Sequence, residues 1–184
     1  GRWCDHNNME LSAGKCSLTI FQRSHSVPLE DFKLFSNLKQ IPFRTETRVL
    51  GVWQDDRLSF SHHLKQVLNK AEKRLSGLRT LERKSDLSKK QLKMFYHKFI
   101  ESLFVYGIQA YFPKLCDKDI ARIENFQYRA AKVITGVPTS ENLSALHLLA
   151  DIIPIRRQCE IECAALLGRV RARPDSEPLK RDVN

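Results

Sequence analysis

The feature that most constrains this chain is a change of period at Ser61. From there Leu64, Val67, Leu68, Ala71, Leu75 and Leu78 recur at helical spacing, an apolar stripe that demands a packed neighbour. Lys65, Lys70 and Lys73 fall off that stripe and are expected to face water. Ser88, with Gln91 three positions on, has the form of a capping box and opens a second helix expected over 89–112. That helix is apolar on most sides (Leu92, Phe95, Tyr96, Phe99, Ile100, Leu103, Phe104, Tyr106), which suits a central position in a bundle, and Pro113 ends it. Asp117 is the expected N-cap of a third helix. Ile120, Ile123, Gln127, Ala130, Ala131 and Ile134 trace its inner face, and Gly136 with Pro138 stops it. Gln127 therefore reads as a buried polar group serving the bundle. Two further helices, at 140–150 and 155–172, flank Pro154, which suits the first turn of the second.

Before Ser61 the pattern is mixed. Cys16, Leu18 and Ile20 alternate with Ser17, Thr19 and Phe21 as a strand would, and Arg48 to Trp53 is a second β-like run in which Gly51 marks a bulge or a close backbone approach. Pro28, Asn37 and Pro42 suggest a loop or hairpin excursion between them. After Arg173 the chain is polar, carries Pro174 and Pro178, and is expected to be disordered. The predicted fold is mainly α: a small β-containing N-terminal segment followed by a bundle of about five helices. The expected divisions are 1–57, 58–173 and a tail over 174–184.

Charge is the first clue to function. Lys and Arg exceed Asp and Glu by ten, and the excess is local: sixteen against seven from Ser61 to Val133, eight against seven before it, seven against seven after it. A localised positive field suits a phosphate-lined partner; a solvated helix face rich in lysine is the plainer alternative. The five cysteines (Cys4, Cys16, Cys116, Cys159, Cys163) are scattered, without a C-x-x-C, and read as reduced thiols of an intracellular protein. Cys159 and Cys163 fit the core of the last helix. His62 and His63 lack a nearby Cys/His set, so no metal site is expected. No run of about 18 apolar residues is present, and no membrane partner is expected. The opening Gly1-Arg2-Trp3 has neither a methionine nor a signal-peptide pattern and reads as part of something longer.

A further set of residues carries a family resemblance. Trp3, then Asn8 to Cys16 (Asn-Met-Glu-Leu-Ser-Ala-Gly-Lys-Cys), then Phe21 resembles the stretch after the catalytic motif in non-LTR retrotransposon reverse transcriptases. Val49-Leu50-Gly51-Val52 resembles that family's aliphatic-Leu-Gly-aliphatic hairpin, the primer grip. Leu58-Ser59-Phe60-Ser61-His62-His63 and the helix ending near Leu81 look like the start of its thumb, followed by Phe95-Tyr96, Ser102, Tyr106-Gly107, Ala110 and the block from Glu124 to Gly136. The resemblance covers 3–172 and rests on the order of individually weak motifs.

It implies the end of a palm, a primer grip and a thumb from an RNA-directed DNA polymerase. It also implies a nucleic-acid partner, an RNA–DNA hybrid or template–primer duplex, along with the remaining palm and fingers. The family's Tyr-x-Asp-Asp turn, which holds two metal ions, is expected shortly before Trp3, so this chain alone is expected to be inactive and to hold no cofactor, Mg2+ belonging to the intact polymerase. Asp55-Asp56 follows Gln54 and reads as a turn pair. Lys15 matches a lysine to which the family's mechanism gives the general-acid role toward pyrophosphate; a surface lysine in a turn is the other reading. Leu50 and Gly51 match the primer grip, where an absent side chain lets backbone approach the strand; an ordinary β-bulge fits the spacing equally. Lys65, Lys70, Lys73, Arg74, Arg79, Lys89, Lys90 and Lys93 are the candidate phosphate contacts, while Arg129 and Lys132 fit either phosphate contact or solvation. The reading requires these cations to form a continuous surface. A nuclear location follows from the element class. An inactive relic of a mobile element and a basic helical protein-interaction module are the competing readings.

Overall fold

A computed structural model describes residues 2–9, 12–21, 33–36, 39–137 and 143–173. The chain divides into two compact units, Gly1–His63 and Leu64–Asn184. The architecture is mainly α with a small β-containing N-terminal part. Among the described residues no helix is long and apolar enough to cross a membrane.

The first unit opens with a short helix, α1 (Arg2–His6), and a single 3-10 turn at Ala13–Lys15. Two antiparallel hairpins follow. β1 (Phe35–Ser36) pairs with β2 (Lys39–Gln40), and β3 (Glu46–Val49) pairs with β4 (Val52–Asp55). The expected strand at Cys16–Ile20 is not one: only Leu18 makes a bridge, parallel to Phe43, with its N–H on the Pro42 carbonyl. Leu18 and Ile20 are half-buried, but so is Thr19 between them, so burial does not alternate here, and the ladder stops after one rung. Gly51 is no bulge either. It is the second residue of a two-residue turn, with Leu50 at φ 47° and Gly51 at φ 91°, the left-handed pair whose twist suits a tight hairpin. Pro28, Asn37, Pro138 and the tail from Pro174 lie outside the described residues.

Asp55 and Asp56 form the turn the sequence suggests. The Asp55 carboxylate accepts from the Arg57 and Ser59 N–H groups, the Ser59 hydroxyl and the Phe60 N–H, fixing the chain as it turns into the next helix. Burial alone would raise this carboxyl; the four hydrogen bonds outweigh it and hold it below its ordinary value.

The long helix α2 (Ser61–Lys84) buries the predicted stripe, with Leu64, Ala71 and Leu75 fully inaccessible. Next comes α3 (Lys89–Phe95), entered through the Ser88–Gln91 capping box as predicted. The single helix expected to 112 is instead interrupted twice. Tyr96–Glu101 is a π turn, α4 (Ser102–Val105) resumes the α form, and Gly107 at φ 68° breaks the path before α5 (Ile108–Tyr111), with a 3-10 turn at Phe112–Lys114 enclosing Pro113.

The π turn has a cause in the sequence. Leu92, Tyr96, Ile100, Phe104 and Ile108 are all buried and lie four residues apart. An α-helix drifts by about 40° at every four-residue step, so a stripe with period four cannot stay on one face. A wider turn takes up the drift. With the face fixed this way, Phe99 and Tyr106 point to solvent, and the expectation of a helix buried on most sides fails for them.

α6 (Asp117–Thr135) starts one residue earlier than predicted, with Asp117 inside the helix rather than at its cap. Cys116 occupies the cap position without a side-chain hydrogen bond, and Asp117 and Asp119 sit in the first turn, where the helix dipole favours them. Gly136 ends it as predicted, its N–H on the Lys132 carbonyl at 2.9 Å. α6 packs on α3 and on α7 (Leu143–Ala150), while α8 (Ile155–Arg171) packs on α5 and takes Pro154 as its cap rather than its first turn. Gln127 is buried, as predicted. Its amide donates to the Ile153 carbonyl and accepts from the Ile155 N–H, both at 3.0 Å, clamping the connection between α7 and α8. Cys159 is buried, with the half-buried Cys163 Sγ 3.8 Å away; burial is the main reason its thiol is pushed up to about 12.

Candidate nucleic-acid interface

Within the first unit, the β3–β4 hairpin presents its turn outward. Leu50 is 85% exposed and Val49 is half exposed, so the tip is an apolar point on a polar ribbon. Its base is stiff. Register pairs Arg48 with Trp53, and the Arg48 guanidinium lies over the Trp53 ring at 5.9 Å while its Nε donates to the Gly51 carbonyl. The His62 ring stacks on Trp53 at 5.1 Å and meets the Glu46 carboxylate at 2.5 Å. Arg48, overlooked in the sequence, is therefore a cation held close to the turn. Lys15 closes the Ala13–Lys15 turn, its side chain exposed and its N–H on the Ser12 carbonyl.

In the helical unit the eight predicted cations do not form one surface. Those on α2, namely Lys65, Lys70, Lys73, Arg74 and Arg79, are all exposed, but they spread over about 220° of the helix circumference at about 100° per residue. Arg74 donates to the Phe99 carbonyl. Lys89 and Lys90 are exposed in the first turn of α3, and Lys93 is paired with Asp151. The expected continuous surface is not formed by these eight; only Arg79 among them reaches a place where cations gather in a groove.

That place is a groove of about 410 Å³ where the C-terminal parts of α2 and α6 meet. It is lined by Arg79, Arg83, Arg129 and Lys132, with Glu82 as its acid. Arg129 also holds Glu72 through two hydrogen bonds, and its guanidinium lies over the Phe126 ring at 5.6 Å. Lys132 sits 4.5 Å over the Tyr128 ring. Counting both glutamates, the cluster keeps an excess of two positive charges. Two helix C-termini supply part of the reason for cations here, since their carbonyls favour positive charge. Sequence reading missed Arg83 and left Arg129 and Lys132 open. The signal was present as spacing, Arg79/Arg83 at i,i+4 and Arg129/Lys132 at i,i+3, but which helices meet is a tertiary fact.

The two-metal chemistry that the resemblance implies needs gathered carboxylates. Among the described residues no group of three or more His, Cys, Asp or Glu side chains converges in that way, and both Asp55 oxygens are committed to the turn. The residues described do not fit the metal pair, and no step is derived through it.

The chain is similar to a polymerase of a mobile element. Over 128 residues it is 27% identical to the probable RNA-directed DNA polymerase from transposon BS of Drosophila melanogaster, a match covering 69% of this chain and 14% of that protein. The similarity supports a reverse-transcriptase-like origin. No family model matches the chain, and no solved structure does.

Proposed function

We propose that this chain is the primer-grip and thumb portion of a non-LTR retrotransposon reverse transcriptase, binding the sugar–phosphate backbone of a template–primer duplex. The observation that carries the reading is the groove at Arg79, Arg83, Arg129 and Lys132, taken with the similarity to a transposon polymerase. A polymerase must slide along any template, so contacts to phosphate suit it better than contacts to bases. A groove of aliphatic floor and guanidinium walls offers phosphate contacts. The β3–β4 hairpin adds a second element. An exposed leucine fixed in the left-handed region is a costly choice for a solvent-facing tip, and strain of that kind marks positions held for function. At a primer strand, Leu50 would pack on sugar faces while Gly51 admits the backbone and Arg48 meets a phosphate. Lys15 remains a general-acid candidate only for a polymerase that supplies the metal aspartates. Reverse transcription primed on chromosomal DNA would place the parent protein in the nucleus.

The test is binding of the 184-residue chain to an RNA–DNA primer–template across a salt series. Four phosphates neutralised at the groove give a log–log slope of about −3 to −4. The Arg79→Glu/Arg83→Glu double variant should flatten that slope by about two units at unchanged helix content. A salt-independent affinity, or a slope that the double variant leaves untouched, would overturn the reading.

A further inference from the structure

On the opposite edge of α2 from the basic groove lies a second groove of different chemistry. Its volume is about 570 Å³, and Gly77, Leu78, Leu81, Phe95, Phe99 and Ile100 line it almost wholly with carbon. The exposed apolar surface is large for a solvent-facing helix pair: Phe99 is 53% exposed and Leu81 40%, with Phe95 stacked on Phe99 at 5.5 Å. Two features build it. The π turn swings Phe99 outward while keeping Ile100 in, and Gly77 leaves the middle of the α2 wall without a side chain. A Cβ placed on Gly77 meets nothing within 4 Å, so open space stands above that backbone.

The frame of the groove is cationic. Arg74 lines it directly, fastened to the Phe99 carbonyl of the π turn, which leaves its other donors for a partner. Lys70, Lys73 and Lys84 lie on the same solvent side of α2, and Lys98 is exposed beside Phe99. Among the described residues the lining contains no carboxylate. Glu72 and Glu82 belong to the other edge, where the first pairs with Arg129 and the second lines the basic groove.

We propose that this groove docks an amphipathic helix of a protein partner, with bulky apolar anchors one turn apart and Asp or Glu residues flanking them. Charge complementarity selects the acidic class, since a basic helix would bring like charges together along both walls. The carbon-rich lining selects a helix over a single nucleic-acid strand, which needs a cation at every phosphate and flat aromatic platforms in series. The inference does not rest on the polymerase reading, which uses the other edge of α2.

The experiment displays a library of 16-residue helical peptides on phage, selects it on the full 184-residue chain and counter-selects on Gly77→Leu. Leucine there fills the open space and improves helix propensity, so the variant should melt no lower than the parent. The expected outcome is enrichment of peptides with Leu or Phe at i, i+3 or i+4, and i+7, acidic residues beside them, and affinity at least about tenfold weaker for the variant. A 16-nucleotide single-stranded DNA serves as the second probe and should bind both proteins equally. Three results would each overturn the proposal: no enrichment, enriched peptides without acidic bias, or peptides indifferent to Gly77→Leu. Loss of DNA binding in that variant would also overturn it, in favour of a nucleic-acid strand.

Discussion

Leu50 stands at φ 47°, where its Cβ crowds the following carbonyl at a cost of about 1 kcal/mol, while asparagine accepts the same geometry readily. Leu50→Asn should therefore raise stability by about 0.5–1 kcal/mol in denaturant titration while weakening primer–template binding. A variant that is stabilised and binds as before would show that the tip is merely tolerated. Gln127 illustrates the reverse economy. Its amide satisfies two backbone groups, so Gln127→Ala should cost about 2–4 kcal/mol by leaving the Ile153 carbonyl and Ile155 N–H without that partner. His147 is buried, and burial lowers its pKa, with Glu124 opposing. The folded chain then binds the proton less readily than the unfolded one. Stability contributed above the ordinary histidine value of about 6.5 should fall as pH drops below it toward the depressed folded value. Melting curves between pH 7 and 5 check this, and His147→Phe should reduce the slope.

At the scale of elements, what the sequence told depended on whether the cause was local. The α2 stripe, the Ser88–Gln91 box and the Gly136 stop were all legible because each is set within a few residues. The run through 89–112 was not, since its apolar residues suggested an all-round buried helix. The four-residue spacing from Leu92 to Ile108 was masked by Phe95, Phe99, Leu103 and Tyr106 between its members; only the packing shows which residues must stay inside and so why the turn widens. The basic groove was harder still. Nothing near Arg83 in the chain announces Lys132, and the cations predicted along α2 turned out to spread over more than half of its circumference rather than share a face. Gly107 gives a direct test of the break between α4 and α5. At φ 68° a side chain is strained, so Gly107→Ala should destabilise by about 1 kcal/mol rather than extend the helix. A rise in helicity at equal or greater stability would contradict it.

For the molecule as a whole, the two edges of α2 divide the work proposed for the helical unit, one offering guanidinium groups and the other carbon. On the proposed reading, in which the metal-binding aspartates belong to another part of the polymerase, the 184-residue chain given Mg2+, nucleotides and a primer–template should bind and yet add no nucleotide. Reproducible primer extension would refute that assignment. The wide turn has one more implication, for how long this polypeptide needs to be. Leu92 and Phe104 lie twelve positions apart on one buried face, whereas three α-helical turns span about eleven. The segment thus holds a surplus residue, and excising the exposed Lys98 should leave the residues on either side in phase, a shortening that an ordinary buried helix would not survive.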